Sequence, residues 1–433
     1  MSSAAPPPDT PFEAIADRIR AHARAHPLQA ALLQGDERLD YATLDALMDR
    51  VAASLQRDGI GPGDAIAICA QTSPRYAAIF LGALRAGVAV APLAPSVTPL
   101  SFASMLADAA PCRLFVDAAA LDALGDSAAV APASIACIAL DDRAPGTPYD
   151  AWLLPAGAPP TAVEVRPESP FNIIYSSGTT GTPKGIVQSH EMRWSHVERA
   201  GSYEYGAATV TILATPLYSN TTLVVFFPTL AFGGTVLLMA RFDAAGYLEL
   251  AERHRATHTM LVPVQYQRLM ALPDFDRYDL ASFRFKFCTS APFAAALKAD
   301  VLERWPGGLV EFYGMTEGGG TCILAAHEFP TKLHTVGKPA QGHDIRLIDD
   351  DGGELPSGET GEVVGHSRGM MLGYHGRPEK TAEAEWFDPT GKRFIRTGDI
   401  GRFDADGFLT LLDRKKDLII SGGFNIYPSD LEA

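Results

Sequence analysis

The chain is short of positive charge: 36 Lys and Arg stand against 51 Asp and Glu, a formal net charge of -15. No basic block offsets this. Binding a phosphate backbone needs such a face, so nucleic acid is excluded as a main partner, although a local cationic site is not. Cysteine is scarce as well. Cys69, Cys112, Cys137, Cys288 and Cys322 are odd in number and contain no Cys-x-x-Cys pair. That excludes a disulfide framework and a zinc site, fits a reducing, cytoplasmic compartment, and leaves structural roles for all five. Residues 1–18 lack the basic and apolar regions of an export leader. Residues 206–240 lack charge altogether, a run long enough to cross a bilayer. Pro216, Pro228 and Gly233-Gly234 interrupt it and Ser219-Asn220-Thr221-Thr222 lies inside it. It therefore reads as a buried loop, a buried helix and a core strand rather than a membrane span. Internal repeats, heptads and low-complexity tracts are also missing.

What is present is a globular composition, 47% hydrophobic and 20% charged, over 433 residues. That length suits roughly three structural units. Residues 12–26 are amphipathic with helical period, 41–58 helical, 65–70 strand, 74–86 helix and 88–92 strand. This β-α-β rhythm predicts a parallel sheet covered by helices. The Pro/Ala/Gly-rich stretch 141–170 reads as a connector. Strand-like runs at 171–175, 209–213, 235–239 and 259–262, with a helix at 244–254, predict a second α/β unit. After residue 334 short strands at 344–348, 361–365, 394–397 and 408–412 alternate with Asp-Gly and Pro-Ser-Gly turns, the pattern of a small antiparallel barrel or sheet. The expected boundaries are an N-terminal α/β subdomain over 1–170, a second one over 171–333, a β-rich subdomain over 334–413, and a hinge segment over 414–433.

The richest local signal is Tyr175-Ser176-Ser177-Gly178-Thr179-Thr180-Gly181-Thr182-Pro183-Lys184-Gly185, a glycine- and hydroxyl-laden loop directly after an apolar run. Glycines let backbone N–H groups turn toward an anion, hydroxyls add donors, and Lys184 supplies charge. The same composition also makes a flexible linker. The preceding strand favours a phosphate grip, and the residues do not fit the P-loop pattern, in which Gly-Lys is followed by Ser or Thr. Further along stand Tyr313-Gly314-Met315-Thr316-Glu317, Arg396-Thr397-Gly398-Asp399, Asp413-Arg414-Lys415-Lys416-Asp417 and Gly422-Gly423-Phe424-Asn425-Ile426-Tyr427-Pro428. Taken singly, the last few read equally well as solvated turns and surface charge.

In their order and spacing, with Thr259-Met260-Leu261-Val262-Pro263 and Thr289-Ser290-Ala291-Pro292, these motifs closely resemble the adenylate-forming superfamily: acyl-CoA synthetases, firefly-type luciferases and peptide-synthetase adenylation domains. The resemblance covers nearly the whole chain. It implies ATP, Mg²⁺ and coenzyme A as partners of a small carboxylic acid. It also implies roles. Thr179, Thr180 and Lys184 hold the pyrophosphate side of ATP, Ser176, Ser177, Gly178 and Gly181 belong to the same ATP-binding set, and Thr316 bonds the α-phosphate. Tyr313 stacks on adenine, with Ser290, Ala291 and Pro292 on the other wall and Glu311, Phe312, Gly314 and Met315 nearby. Asp399 accepts from both ribose hydroxyls, assisted by Arg414. Glu317 suits Mg²⁺, which typically takes one or two carboxylates. Lys184, Thr316 and Glu317 are then the catalytic set.

The resemblance makes Lys416 the hinge of a C-terminal domain of roughly 100 residues, and Gly422 and Gly423 the glycines that pass the CoA arm. Phe424 stands where Glu is commoner. The chain stops at Ala433, so that domain and its adenylating lysine are expected to be absent, leaving ATP binding with poor turnover. The acyl site is implied for Trp194, Tyr218, Ser219, Asn220, Thr221, Gly314, Gly319 and Gly320. Small polar residues from Ser219 to Thr222 make a poor wall for a fatty chain, because each unpartnered buried polar group costs about 1–3 kcal/mol. They suit a short, branched or hydroxylated acid, or else merely cap the following helix. No Asp lies between Tyr205 and Arg241 to pair an α-ammonium, which disfavours α-amino acids. The expected activity is that of an AMP-forming acid–thiol ligase. Loading of a carrier protein, an ATP-dependent kinase or ATPase, and a non-catalytic nucleotide- or adenylate-binding module remain alternatives, and a homodimer is compatible with the sequence.

Overall fold

In the structure of this chain, a computed structural model, residues 11–125, 135–176, 183–414, 419–421 and 424–426 are described. The chain divides into two units, Met1–Met260 with Met371–Arg377, and Leu261–Met370 with Pro378–Ala433.

Among the described residues, the first unit carries a sheet in the order Gly373–Tyr374, Lys184–Ser189, Pro170–Ser176, Ala89–Pro92, Ala65–Cys69, Arg113–Val116, Ala136–Ala139, Thr147–Pro148. Ala65–Cys69 pairs in parallel with both of its neighbours, and the antiparallel pairings are confined to the Lys184–Ser189 edge. Ile66, Ala67, Ile68 and Cys69 are all buried, the continuous apolar run of a strand covered on both faces. The helix after it, Pro74–Arg85, starts where the sequence dictates: the Ser73 side chain accepts from the Tyr76 N–H and Pro74 occupies the first turn. Helix Ile15–Ala25 buries Ile15, Ile19 and Ala23 along one stripe.

A second sheet in this unit sets Ala30–Gln34 between antiparallel Glu37–Asp40 and parallel Thr235–Leu238. Val210–Leu213 pairs with Thr235–Leu238 and with His258–Leu261. Sheet membership here does not follow chain order. Pro170–Ser176, read in the sequence as the start of a second α/β unit, lies beside Ala89–Pro92 with Asn172 opposite Val90. The uncharged run forms Val210–Leu213, helix Asn220–Ala231 and Thr235–Leu238, with Leu223, Phe226, Phe227 and Leu230 buried. No described helix is long and apolar enough to cross a membrane.

In the second unit Phe285–Cys288 runs parallel to Gly308–Tyr313, which pairs antiparallel with Cys322–Ala325. Downstream, Asp344–Ile348, Thr360–His366, Arg393–Phe403, Glu385–Phe387 and Leu409–Arg414 form an antiparallel sheet. Ile345, Leu347, Val363 and Leu409 from it bury Cys322 of the neighbouring strand. The protein is thus α/β with parallel sheets and a smaller antiparallel sheet.

The turn into Lys338–Pro339 tests how tightly these strands pack. Gly337 has φ +91 and a Cβ there would meet the Ile323 carbonyl oxygen at 1.9 Å, whereas Gly342, at φ +78, has nothing within 4 Å. Gly342→Ala should cost about 1 kcal/mol, the conformational strain alone, and Gly337→Ala more than about 3 kcal/mol in urea unfolding. Equal losses would show that the close approach imposes no constraint.

Candidate active site

In the second unit two neighbouring parallel strands end together, with Cys288 in register with Glu311. Their carboxyl ends lead directly into Thr289-Ser290-Ala291-Pro292 and into Gly314-Met315-Thr316-Glu317, so the pairing delivers both motifs to one edge of the sheet, the edge where α/β proteins bind ligands. The Thr289 hydroxyl donates to the Phe312 carbonyl at 2.8 Å and ties the two exits together. Ser290 adopts φ +82, a strained backbone for a residue with a Cβ. Thr316 and Glu317 sit in a turn closed by the Gly318 N–H on the Met315 carbonyl.

The antiparallel sheet adds the acidic member. The Tyr313 hydroxyl donates to Asp399 Oδ2 at 2.8 Å. Asp399 lies opposite Arg414 across the Arg393–Phe403 and Leu409–Arg414 pair, with Arg414 Nε 3.4 Å from Oδ1. The Asp399 N–H is fixed on Thr397 Oγ1, which itself donates to the Val363 carbonyl. Burial raises the Asp399 carboxyl above its ordinary range, opposed by the Tyr313 hydroxyl and the Arg414 charge. Burial and the adjacent Asp399 charge push the Tyr313 phenol well up, so it stays a donor.

The remaining predicted residues of this unit have defined places. Phe312 stacks on Phe287 at 5.5 Å. Glu311 is buried in an ion pair with Lys298, whose ammonium also donates to the Leu333 and Thr335 carbonyls. Burial raises the Glu311 carboxyl, and Lys298 opposes the shift. Gly319 and Gly320 pack against the antiparallel sheet: a Cβ on Gly320 would meet Ile345 Cγ1 at 2.5 Å, and one on Gly319 the Gly365 carbonyl at 2.8 Å. Among the described residues no three His, Cys, Asp or Glu side chains cluster as a metal cage. Mg²⁺ relies on few protein ligands, so the lack of such a cluster does not decide whether Glu317 holds it.

In the first unit Ser177, Gly178, Thr179, Thr180 and Gly181 lie outside the described residues, as do Lys416, Gly422 and Gly423 of the second. The stem of the loop is described. Ser176 and Lys184 face each other at the end of the Pro170–Ser176 and Lys184–Ser189 hairpin. Lys184 Nζ lies 4.8 Å from the centre of the Tyr374 ring. Tyr175 donates to Asp108 Oδ2 at 2.8 Å, and Arg377 Nε approaches Asp108 Oδ1 at 3.5 Å. Trp194 is buried against Phe12 at 6.2 Å, under the Arg18 guanidinium at 5.8 Å. Tyr218 is half-buried, and burial raises its phenol, with Ser96 opposing the shift.

Ser219, Asn220 and Thr221 open helix Asn220–Ala231, but the Ser219 side chain makes no capping bond and the Asn220 side chain accepts from Arg193 Nη2 at 2.8 Å. The capping alternative therefore fails for these two residues. Arg193, Asp108, Lys298 and Tyr374 belong to none of the motifs legible in the sequence. For Arg193 a signal existed: His190, Arg193, Val197 and Ala200 recur at helical spacing, placing a cation on a buried stripe.

A strained serine, a tyrosine and a partly buried carboxylate thus gather at the strand ends, the ligand-binding edge of an α/β protein. The chain belongs to the family of AMP-binding enzymes, whose pattern matches residues 19–375. It is 34% identical over 416 residues to a feruloyl-CoA synthase from Amycolatopsis, covering 95% of this chain and 80% of that protein. It is 32% identical to an indoleacetate–CoA ligase from Aromatoleum aromaticum, covering 96% and 82%. The amide bond synthetase McbA from Marinactinospora thermotolerans superposes with a TM-score of 0.84 at 29% identity, over 95% of this chain and 82% of that one.

Removing the Tyr313 hydroxyl takes a donor from a partly buried carboxylate. Tyr313→Phe should destabilise the protein by about 1–2 kcal/mol. Because the bond favours ionised Asp399, the variant's carboxyl titrates still higher. The loss should thus be smaller at pH 4 than at pH 8, growing as pH rises through the raised Asp399 value. A loss independent of pH in denaturant unfolding would refute the coupling.

Proposed function

We propose that this protein is an AMP-forming carboxylate–CoA ligase acting on a short, branched or hydroxylated acid. The observation that carries the reading is the Tyr313–Asp399–Arg414 constellation at the strand ends, in a chain of the AMP-binding family. Asp399 offers two carboxylate oxygens to vicinal ribose hydroxyls, and Tyr313 and Ser290-Ala291-Pro292 take the two faces of adenine. Thr179, Thr180 and Lys184 take the pyrophosphate side, and Thr316 the α-phosphate. The Tyr374 ring restrains the Lys184 ammonium by a cation–π contact.

The substrate acid is already ionised near neutrality, since carboxyl groups titrate near ~4, and needs no general base. Its oxygen attacks the α-phosphorus, the bond to the bridging oxygen breaks, and pyrophosphate leaves. The CoA thiolate then attacks the acyl carbon, and AMP leaves with the electron pair of the carbon–oxygen bond. The obstacle is repulsion between anions, which Lys184 and backbone N–H groups reduce. Glu317 would hold Mg²⁺, which would neutralise further phosphate charge.

ATP labelled on its phosphates should yield AMP and pyrophosphate, dependent on an added acid. Asp399→Asn, which keeps an acceptor for Tyr313 but loses one for ribose, should raise the ATP KM about 10- to 100-fold. Formation of ADP would sink the proposal. Supplying CoA, a carrier-protein thiol and a simple amine in parallel decides the acceptor, and CoA is the one expected to give product.

A further inference from the structure

Arg193 is 1% exposed, yet its hydrogen-bond partners are amides rather than a carboxylate. Nε donates to Asn172 Oδ1 at 3.1 Å, and Nη2 donates to Asn220 Oδ1 at 2.8 Å and to Gln188 Oε1. Phe171 and Phe227 lie 5.9 and 6.0 Å from the guanidinium. Among the described residues Nη1 has no hydrogen-bond partner. Burial pushes the guanidinium down to about 9, which leaves it cationic at neutral pH. A buried cation without a counter-charge is costly to maintain.

A guanidinium has donors only, so each amide atom facing it must be oxygen. That fixes the orientation of all three amides at once. Gln188 Oε1 faces Arg193 and also accepts from Asn172 Nδ2 at 3.0 Å, which turns Gln188 Nε2 to Asn220 Oδ1 at 3.4 Å. Asn220 Oδ1 thus takes two donors, and its Nδ2 is left with none of the network's acceptors. Asn220 is only partly buried and stands in the first turn of helix Asn220–Ala231. There the positive end of the helix dipole adds to the potential of Arg193. An oxygen acceptor is what this corner can hold; a methylene chain would strand its donors.

We propose that Asn220 Nδ2 donates a hydrogen bond to an oxygen on the side chain of the substrate acid, with Arg193 as the positioning residue that fixes the direction of the amide. The inference rests on the ligase reading, which puts Asn220 in the acyl site. The preferred acids then carry an ether, carbonyl or hydroxyl oxygen remote from the reacting carboxylate, and the unsubstituted acids of equal length are poorer.

The test uses non-hydrolysable acyl-sulfamoyladenosines carrying phenylpropanoyl, para-methoxy-phenylpropanoyl and para-hydroxy-phenylpropanoyl groups, with β-hydroxybutanoyl and butanoyl as a shorter pair. Calorimetry gives the ratio of dissociation constants within each set, and thermal melting confirms that each variant is folded. The wild type should favour an oxygenated member of at least one set by about tenfold or more. Asn220→Leu should bring that ratio near one. Asn220→Asp, still held by Arg193, should reject the acceptor-only methoxy group while retaining the hydroxyl, which can donate. Arg193→Met, by freeing the amide, should shrink the ratio. A wild-type ratio near one in both sets, or a ratio that survives Asn220→Leu, overturns the proposal. Equal weakening of all ligands by Arg193→Met overturns the positioning role. If no analogue binds, the adenylating reading itself falls and this inference with it.

Discussion

Parallel pairing is the constraint on which the candidate site depends. Strands that run the same way end on the same edge, and each of them opens there into a loop free to carry chemistry. Phe285–Cys288 and Gly308–Tyr313 are neighbours of this kind, and their exits are Ser290-Ala291-Pro292 and the Tyr313–Glu317 motif. The strand Pro170–Ser176 obeys the same rule in its own sheet and leads into the glycine-rich loop. Once such strands pair, the polar residues need no long side chains to meet; the backbone register has already delivered them.

Keeping those residues polar inside an α/β core sets a second requirement, and lysines meet it. Lys286 Nζ donates to the Trp305, Pro306 and Gly307 carbonyls at 3.0, 2.7 and 2.7 Å. Lys298 does the same for Leu333 and Thr335 while pairing with Glu311. Each satisfies loop carbonyls that helices and strands leave unpaired at their ends. Glu311 is therefore held inside its unit one strand position from Phe312 and two from Tyr313.

The sequence made the elements legible wherever one periodicity dominates. Helix Tyr41–Arg57 and strand Asp344–Ile348 fall where pattern and turn residues place them, because burial of one stripe or one face decides their local conformation. The motifs that carry the family resemblance are legible too, because each is contiguous in the chain. What the sequence did not disclose is long-range partnership. Nothing near Pro170–Ser176 says that its free edge will meet Ala89–Pro92. Asp108 reaches Tyr175 across 67 positions, and Arg193 draws its amides from positions 21, 5 and 27 residues away. Such contacts arise from tertiary packing, and a single chain read in order contains no local trace of them beyond a charge on an apolar stripe.

Two polar groups, one in each unit, differ in how firmly they are held, and this bears on which can change. Asp399 and Arg414 are cross-strand partners in a continuous ladder, and Tyr313 terminates a buried strand, so their geometry is inherited from main-chain hydrogen bonds. In the Asn220 corner the direction of the amides is set by side chains: one guanidinium orients three amides, and removing it leaves three acceptors without that donor. Substituting a single member therefore disturbs the rest, whereas replacing the cluster together by apolar residues of similar volume removes both the donors and their cost. The Asn220 cluster is thus a unit whose members change together, while Asp399, Arg414 and Tyr313 are fixed by their strands.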